Sequence, residues 1–154
     1  MPLLTMENIQ RHYETPAGVV KALDGVSFNV EEGERVILLG PSGSGKTTLL
    51  NCLSGLDSPT GGSYKFLDSE VPRYHSEKMT SFRRENIGYV FQFFNLLQDL
   101  TVLENILLIQ ELAGTKNPTR AKELLGLVGL HSEVNRFPGE ISGGQQQRVA
   151  IALS

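Results

Sequence analysis

A glycine-rich segment that carries one lysine is the part of the sequence with the clearest chemistry. Residues 40–47, Gly-Pro-Ser-Gly-Ser-Gly-Lys-Thr, match the pattern G-x-x-x-x-G-K-[ST] at every position. In this pattern, backbone N–H groups surround phosphate oxygens, the lysine adds a positive charge, and the Thr hydroxyl can bind Mg²⁺. The candidate phosphate-binding residues are Gly40, Pro41, Ser42, Gly43, Ser44, Gly45, Lys46, Thr47 and Thr48. The alternative is a glycine-rich turn that binds nothing.

A second segment combines a serine with two glycines. Ser142, Gly143, Gly144 and Gln145 precede a stretch predicted to be helical up to the C-terminus. A serine is a good helix N-cap, and the free N–H groups of a helix N-terminus attract anions. Taken alone, this segment fits an ordinary helix start as well as an anion site.

The elements around the glycine-rich loop are those that a phosphate-binding loop requires. Before it, Arg35–Leu39 has the apolar character of a central strand covered on both faces. After it, Leu49, Leu53 and Leu56 recur at helical spacing. Further strands are predicted at 3–9, 26–30, 64–67 and 87–91.

From Leu100 onward the pattern is helical. Thr101–Glu104 is a capping box, and Asn117 followed by Pro118 begins another helix. These elements predict an α/β fold with a single domain over 1–154. We expect a β-rich part with the phosphate loop at 1–98, a helical subdomain at 99–140 and a terminal helix at 141–154.

Composition limits the class of protein. The 154 residues are 40% hydrophobic and 20% charged, which is typical of a globular domain. The net charge of −3 disfavours a general nucleic-acid surface. A single cysteine, Cys52, fits a reducing compartment, and the N-terminus lacks the pattern of a signal peptide.

In combination, the motifs resemble those of the ATPase subunits of ATP-binding cassette (ABC) transporters. The phosphate loop, Gln92 within Val-Phe-Gln-Phe-Phe-Asn (90–95), and the segment 141–145 occur in the family's order. The family's signature begins LSGGQ, and Ile141 replaces its leucine. The resemblance extends from about Leu4 to Leu153. Residues 85–92, 95–97, 100–101 and 104–106 resemble most the subgroup of lipoprotein release, macrolide-type export and cell-division signalling.

The resemblance implies an ABC ATPase (phosphate-loop NTPase) fold that binds ATP and Mg²⁺. Tyr13 would stack on the adenine, or else be a partly buried surface aromatic. Thr47 and Gln92 would contact Mg²⁺, and Gln92 would also sense the attacking water; a structural glutamine at a strand end is the alternative. Ser142, Gly143, Gly144 and Gln145 would bind ATP held by a second subunit. The phenylalanines around Gln92 are expected in the core or on a coupling surface.

The family's later motifs do not occur in residues 1–154. These are an Asp-Glu pair after an apolar strand, which orders Mg²⁺ and supplies the general base, and a histidine near the γ-phosphate. We therefore expect the chain to be an N-terminal, C-terminally truncated part of such a subunit, without ATP hydrolysis of its own.

The expected function is that of an ATP-binding subunit that drives a membrane permease in export or lipoprotein extraction. Its implied partners are an integral-membrane permease and a second ATPase subunit, with no nucleic acid, and its implied location is the cytoplasmic face of the cell membrane. One alternative is a truncated, non-hydrolysing ATP-binding or dimerising module. Another is a soluble ABC protein of DNA repair or translation, against which the net charge and the subgroup-like residues argue.

Overall fold

The computed structural model describes residues 1–72 and 74–154. They form two compact units, Met1–Asn86 and Ile87–Ser154. The division into 1–98, 99–140 and 141–154 that is expected from the sequence motifs stays a prediction.

The first unit is built on an antiparallel sheet. Its strands are β1 (Leu4–Thr15), β2 (Gly18–Val30), β3 (Gly61–Phe66) and β4 (Ser69–Glu70), in the order β2-β1-β3-β4. β1 and β2 form a long hairpin with register shifts along it. The predicted strands at 3–9, 26–30 and 64–67 overlap β1, β2 and β3, with residues 3 and 67 just outside them. β1 and β2 are longer than the sequence pattern indicated.

Two helices belong to this unit, α1 (Lys46–Leu53) and α2 (Glu77–Asn86). α1 packs on the sheet through Leu49 and Cys52, both of which are buried. The sequence pattern did not predict α2, whose apolar residues are the buried Met79 and the half-buried Phe82. Two apolar positions in ten residues are too few for a helical periodicity to stand out. The buried residues of this core are Met6, Ile9, Leu23, Leu49, Cys52 and Tyr64.

Two of the predicted strands are wrong for the part of the chain that the structure describes. Arg35–Leu39 and the segment 87–91 are not paired into a sheet. Ile37 and Leu39 are 81% and 85% exposed, respectively. The reason is that an apolar sequence can favour a strand, but the strand forms only where a neighbour completes its hydrogen bonds.

The second unit is helical. It contains α3 (Val102–Leu112), α4 (Pro118–Leu127) and α5 (Gly143–Leu153), with short 3₁₀ turns at His131–Glu133 and Pro138–Glu140. The predicted helix starts are confirmed: Thr101 and Glu104 form a capping box, and Asn117 Oδ1 accepts from Arg120 N at 3.0 Å. The buried residues of its core are Leu96, Val102, Ile106, Ala121, Leu125, Leu130 and Val149.

The helices of residues 1–72 and 74–154 include none that is both long enough and apolar enough to cross a lipid bilayer.

Candidate functional site

The phosphate-loop pattern adopts a tight backbone path against β2. Gly43 and Gly45 have φ angles of +79° and +93°, in the left-handed region that glycine adopts without strain. A Cβ at Gly45 would lie 2.5 Å from the carbonyl oxygen of Ala22. Gly45 is therefore required both for its φ angle and for the close approach of the loop to the sheet. It is also the N-cap of α1.

Lys46 is held by the loop that precedes it. Its Nζ donates to Gly40 O, to Pro41 O at 2.8 Å and to Ser44 Oγ at 3.4 Å. A Cβ at Gly40 would lie 2.7 Å from Ser44 Oγ, so a larger residue there would disturb this arrangement. Gly40 and Pro41 act on the ammonium through their carbonyl groups and do not line the cavity described next.

A cavity of about 610 Å³ lies beside the loop. It is lined by Val20, Lys21 and Ala22 of β2 and by Ser42, Gly43, Ser44, Gly45, Lys46, Thr47 and Thr48. Among the residues that the structure describes, the lining includes two lysines and no carboxylate. A cavity with this lining favours an anion over a cation.

Lys21 is exposed and pairs with Asp24. Its Nζ lies 3.3 Å from Asp24 Oδ2, and His12 Nε2 lies 3.1 Å from Asp24 Oδ1. The hydrogen bond from Lys21, followed by that from His12, lowers the pKa of the Asp24 carboxyl. Both side chains of the Lys21–Asp24 pair are more than half exposed, so the pair restricts Lys21 only weakly.

The start of α1 fits a phosphate group. The first backbone N–H groups of an α-helix have no partner within the helix, and the helix dipole adds partial positive charge at the same end. The residues that begin α1, Lys46 to Thr48, line the cavity. The hydroxyl of Thr47 is an oxygen ligand of the kind that Mg²⁺ accepts.

Tyr13 lies next to this cavity without lining it. On the β1–β2 hairpin, Tyr13 pairs with Val20, which does line the cavity. The Tyr13 hydroxyl donates to Asp57 Oδ2 at 2.7 Å, and Arg11 Cζ lies 4.3 Å from the centre of its ring. Burial raises the pKa of Asp57, but hydrogen bonds from Tyr13, Arg11 and Ser58 outweigh it, so the pKa lies below its ordinary value.

Gln92 belongs to the second unit and is exposed in a turn. It does not end a strand, so the alternative of a structural glutamine at a strand end is wrong. Phe93 is 83% exposed, whereas Phe94 packs against the core of this unit. Of the two expected positions, surface and core, Phe93 therefore has the first and Phe94 the second.

Ser142 caps α5. Its Oγ accepts from Gln145 N at 3.2 Å, and Gln145 Oε1 accepts from Ser142 N at 2.9 Å. The helix start is thus confirmed as a capping box. Gly143 and Gly144 are exposed, and a Cβ at either position would meet no atom within 4 Å. The role of these four residues toward a nucleotide stays a prediction.

Sequence reasoning missed two groups of residues. Val20, Lys21 and Ala22 line the cavity because β2 passes the loop, and no local pattern marks them. Arg11 and Asp57 contact Tyr13, although 46 residues separate them in sequence. One signal was available. Arg11 precedes Tyr13 by two residues, and side chains two apart on a strand lie on the same face of the sheet.

Comparison with known proteins gives a consistent result. Residues 23–154 match the family model described as ABC transporter. An uncharacterised ABC transporter ATP-binding protein of Thermotoga maritima is 47% identical over 153 residues, covering 97% of this chain and 65% of its own length. The lipoprotein-releasing system ATP-binding protein LolD of Geobacter metallireducens is 44% identical over 153 residues, covering 97% and 68%.

A solved structure agrees with these relatives. The dimeric ATP-binding cassette MJ0796, in a post-hydrolysis state bound to ADP and Pi, matches with a TM-score of 0.87 and 39% identity. The match covers 97% of this chain and 68% of that one. This confirms the predicted phosphate-loop NTPase fold of the ABC ATPase type.

The relatives are longer than this chain. It spans 46% of the length of an uncharacterised ABC transporter ATP-binding protein of Mycobacterium tuberculosis that is 43% identical, and about two-thirds of LolD and MJ0796. The family model nevertheless matches residues 23–154, which include the phosphate loop, Gln92 and the segment 141–145. The chain belongs to the ABC transporter family, as a part of its ATP-binding domain.

Proposed function

We propose that the chain binds the triphosphate of ATP, with Mg²⁺, in the cavity beside the phosphate loop. The observation that carries this proposal is the lining of that cavity. It combines the glycine-rich loop, the N-terminus of α1, Lys21 and Lys46, with no carboxylate from the described part of the chain. A polyanion is the ligand that this combination of charge and N–H groups stabilises.

Within this proposal each candidate residue has one role. Lys46 neutralises charge on the β- and γ-phosphates, and the Thr47 hydroxyl helps to hold Mg²⁺. Gln92 contributes an amide to the metal or to the attacking water. Tyr13 offers a ring on which the adenine stacks. These roles rest on the family's motifs and on the residue types that stand in them.

For the whole protein we propose the function of an ABC transporter ATPase subunit. ATP binding and hydrolysis would drive an integral-membrane permease in export or lipoprotein extraction, from the cytoplasmic face of the membrane. Family membership and the similarity to LolD support this proposal. The dimer of MJ0796 supports a partner subunit of the same kind. From the family's motifs, we infer that ATP lies between the phosphate loop of one subunit and the Ser142–Gln145 segment of the other.

The proposal for the phosphate loop is tested by Lys46→Ala. Removing a charged donor to the phosphates should weaken Mg-ATP binding by about 10- to 100-fold, measured by isothermal titration calorimetry. Lys122→Ala, which removes an exposed lysine of α4, is the matched control and should bind as the parent does. Equal affinity of Lys46→Ala and the parent would contradict the proposal.

The proposed partner subunit is tested by Ser142→Arg. A bulky cation at the exposed start of α5 should leave ATP binding to one subunit unchanged and prevent ATP-dependent dimerisation, measured by light scattering. Ser132→Arg introduces the same side chain at another exposed serine of the second unit and serves as the control. ATP-dependent dimers formed by Ser142→Arg would show that this segment does not bind the partner's nucleotide.

A further inference from the structure

A network of hydrogen bonds surrounds the carboxylate of Asp57. Its Oδ2 accepts from Tyr13 Oη at 2.7 Å and from Arg11 Nε at 2.9 Å. Its Oδ1 lies 2.9 Å from Arg11 Nη2 and accepts from Ser58 N at 2.8 Å. A carboxylate offers about four acceptor positions, and this one uses them all. The pairing with Arg11 is bidentate, which restricts the orientation of both groups.

The same network restricts the ring of Tyr13. The guanidinium of Arg11 covers one face of the ring, with Cζ 4.3 Å from its centre, while Asp57 holds the hydroxyl. Arg11 and Asp57 are themselves largely buried, with 22% and 25% of their side chains exposed. A planar ligand can therefore stack only on the face of the ring opposite Arg11.

Two connections relate this ring to the phosphate loop. Asp57 lies four residues after the end of α1, and its backbone N–H donates to Asn51 O, within the helix, at 3.1 Å. The eight residues of α1 place Asp57 roughly 12 Å along the helix from the loop. On the other side, Tyr13 pairs across the hairpin with Val20, which lines the cavity.

We propose that Arg11 and Asp57 are positioning residues that hold the Tyr13 ring at a set distance from the phosphate loop, and so determine where a nucleobase stacks. This inference rests on the proposed function, in which the same loop binds the phosphates of a nucleotide. Its ligand is the base of a nucleoside triphosphate. Because an aromatic face accepts any base, the network should set affinity for nucleotides without selecting ATP over GTP.

The test compares Mg-ATP and Mg-GTP with Mg-tripolyphosphate, which has the phosphates and no base. Calorimetry on the chain with Asp57→Ala should show both nucleotides binding about tenfold more weakly, and tripolyphosphate binding within twofold of the parent. The control is Glu123→Ala, which removes the carboxylate of the exposed Arg120–Glu123 pair and should change none of the three affinities. A positioning role also predicts that Asp57→Ala adds nothing to the loss caused by Tyr13→Ala.

Each outcome decides the inference. An equal loss for tripolyphosphate would mean that Asp57 supports the fold of the loop, and unchanged ATP binding would mean that it has no role; either result overturns the proposal. If Asp57→Ala does not fold, Tyr13→Phe decides, because it keeps the ring and loses the bond to Asp57. We expect about threefold weaker ATP binding and unchanged tripolyphosphate binding for Tyr13→Phe. Its equality with the parent would overturn the proposal.

The base contact can also fail separately from the phosphate site. If Lys46→Ala abolishes tripolyphosphate binding while Tyr13→Ala leaves ATP binding unchanged, the proposed function stands and the inference about Arg11 and Asp57 is wrong.

Discussion

At the scale of single residues, the backbone of the phosphate loop depends on two glycines for different reasons. Gly45 has φ +93° and lies so close to β2 that a Cβ would be 2.5 Å from Ala22 O. Gly43 has φ +79°, but a Cβ there would meet nothing within 4 Å. The two positions therefore separate the cost of the backbone conformation from the cost of a steric clash.

We expect Gly43→Ala to lower the free energy of unfolding by about 1 kcal/mol, from the left-handed conformation alone. Gly45→Ala should lower it by about 3 kcal/mol or move the loop away from β2, because a backbone oxygen cannot give way as a flexible side chain can. Urea unfolding of the two variants measures the difference. Equal effects would contradict the role of the contact between Gly45 and Ala22.

Cys52 offers a second test at this scale. It is fully buried on α1, and burial raises the pKa of its thiol to about 11. The protonated thiol is therefore favoured in the folded chain. This contribution to stability is fully present below the unfolded pKa, and it is lost as the pH rises from there through the folded pKa of about 11.

At pH 8, roughly a tenth to a quarter of the thiols would be ionised in the unfolded chain and a far smaller fraction in the folded chain. We expect Cys52 to resist a thiol reagent such as dithionitrobenzoate at pH 8, and to react rapidly in concentrated urea. Since it is the only cysteine, the labelling rate reports directly on the fold of the first unit. Rapid labelling without urea would contradict the burial of this helix face.

At the scale of elements, α3 organises the segment before it through one buried side chain. Asn105 is 4% exposed, and its Oδ1 accepts from Leu97 N at 2.8 Å. Its Nδ2 lies within hydrogen-bond distance of Leu97 O, Leu100 O and Thr101 O. The backbone N–H and C=O groups of this irregular loop thus find hydrogen-bond partners in a side chain rather than in a strand or helix.

Asn105→Leu should lower the free energy of unfolding of the second unit by about 2–4 kcal/mol, because it removes the hydrogen bonds of the buried Asn105 side chain to Leu97, Leu100 and Thr101. The comparison is Thr101→Ala, which removes the N-cap of the same helix and should cost about 1 kcal/mol. Thermal unfolding followed by circular dichroism measures both. A loss for Asn105→Leu no larger than that for Thr101→Ala would show that the side chain does not hold the loop.

At the scale of the whole molecule, the exposed apolar residues at 36–39 matter most. Val36, Ile37, Leu38 and Leu39 are 56%, 81%, 39% and 85% exposed. Four consecutive exposed apolar side chains outside any helix or strand form a surface that favours association between chains.

We expect the double variant Ile37→Lys and Leu39→Lys to reduce concentration-dependent association of the 154-residue chain, measured by dynamic light scattering. The matched control is Leu112→Lys with Leu127→Lys, which adds the same charge at residues that are 68% and 77% exposed on helices of the second unit. If both double variants reduce association equally, net charge rather than the 36–39 segment is responsible.

Turnover of ATP is the second property at this scale. Transfer of the γ-phosphoryl group to water needs a held metal and a group that positions or deprotonates the water. The described residues that line the cavity carry no carboxylate to act as that group. Loss of a general base costs about 10²–10⁴ in rate.

We therefore expect residues 1–154 to bind ATP without measurable turnover in a phosphate-release assay. A chimera carrying the remaining C-terminal part of the Thermotoga maritima relative should hydrolyse ATP. Steady release by the short chain that disappears in Lys46→Ala would contradict this prediction. It would also exclude the alternative of a non-hydrolysing ATP-binding module.

The sequence alone determined those features whose chemistry is local. The phosphate-loop pattern, the capping boxes at Thr101 and Ser142, and the Asn-Pro start of α4 are each set by residues within about four positions of one another. Their structures therefore followed from residue type and spacing. The family could be recognised for the same reason, since its motifs are short and occur in order.

The tertiary structure decided everything that depends on residues distant in sequence. It placed Val20 and Lys21 beside the loop and brought Arg11 and Tyr13 to Asp57, through strand pairing and the length of α1. It also left Arg35–Leu39 unpaired, although its apolar pattern favours a strand. The physical reason is the same in each case. A strand, a buried ion pair and a cavity wall exist only when a second segment supplies the other half of the contact, and no local pattern contains that segment.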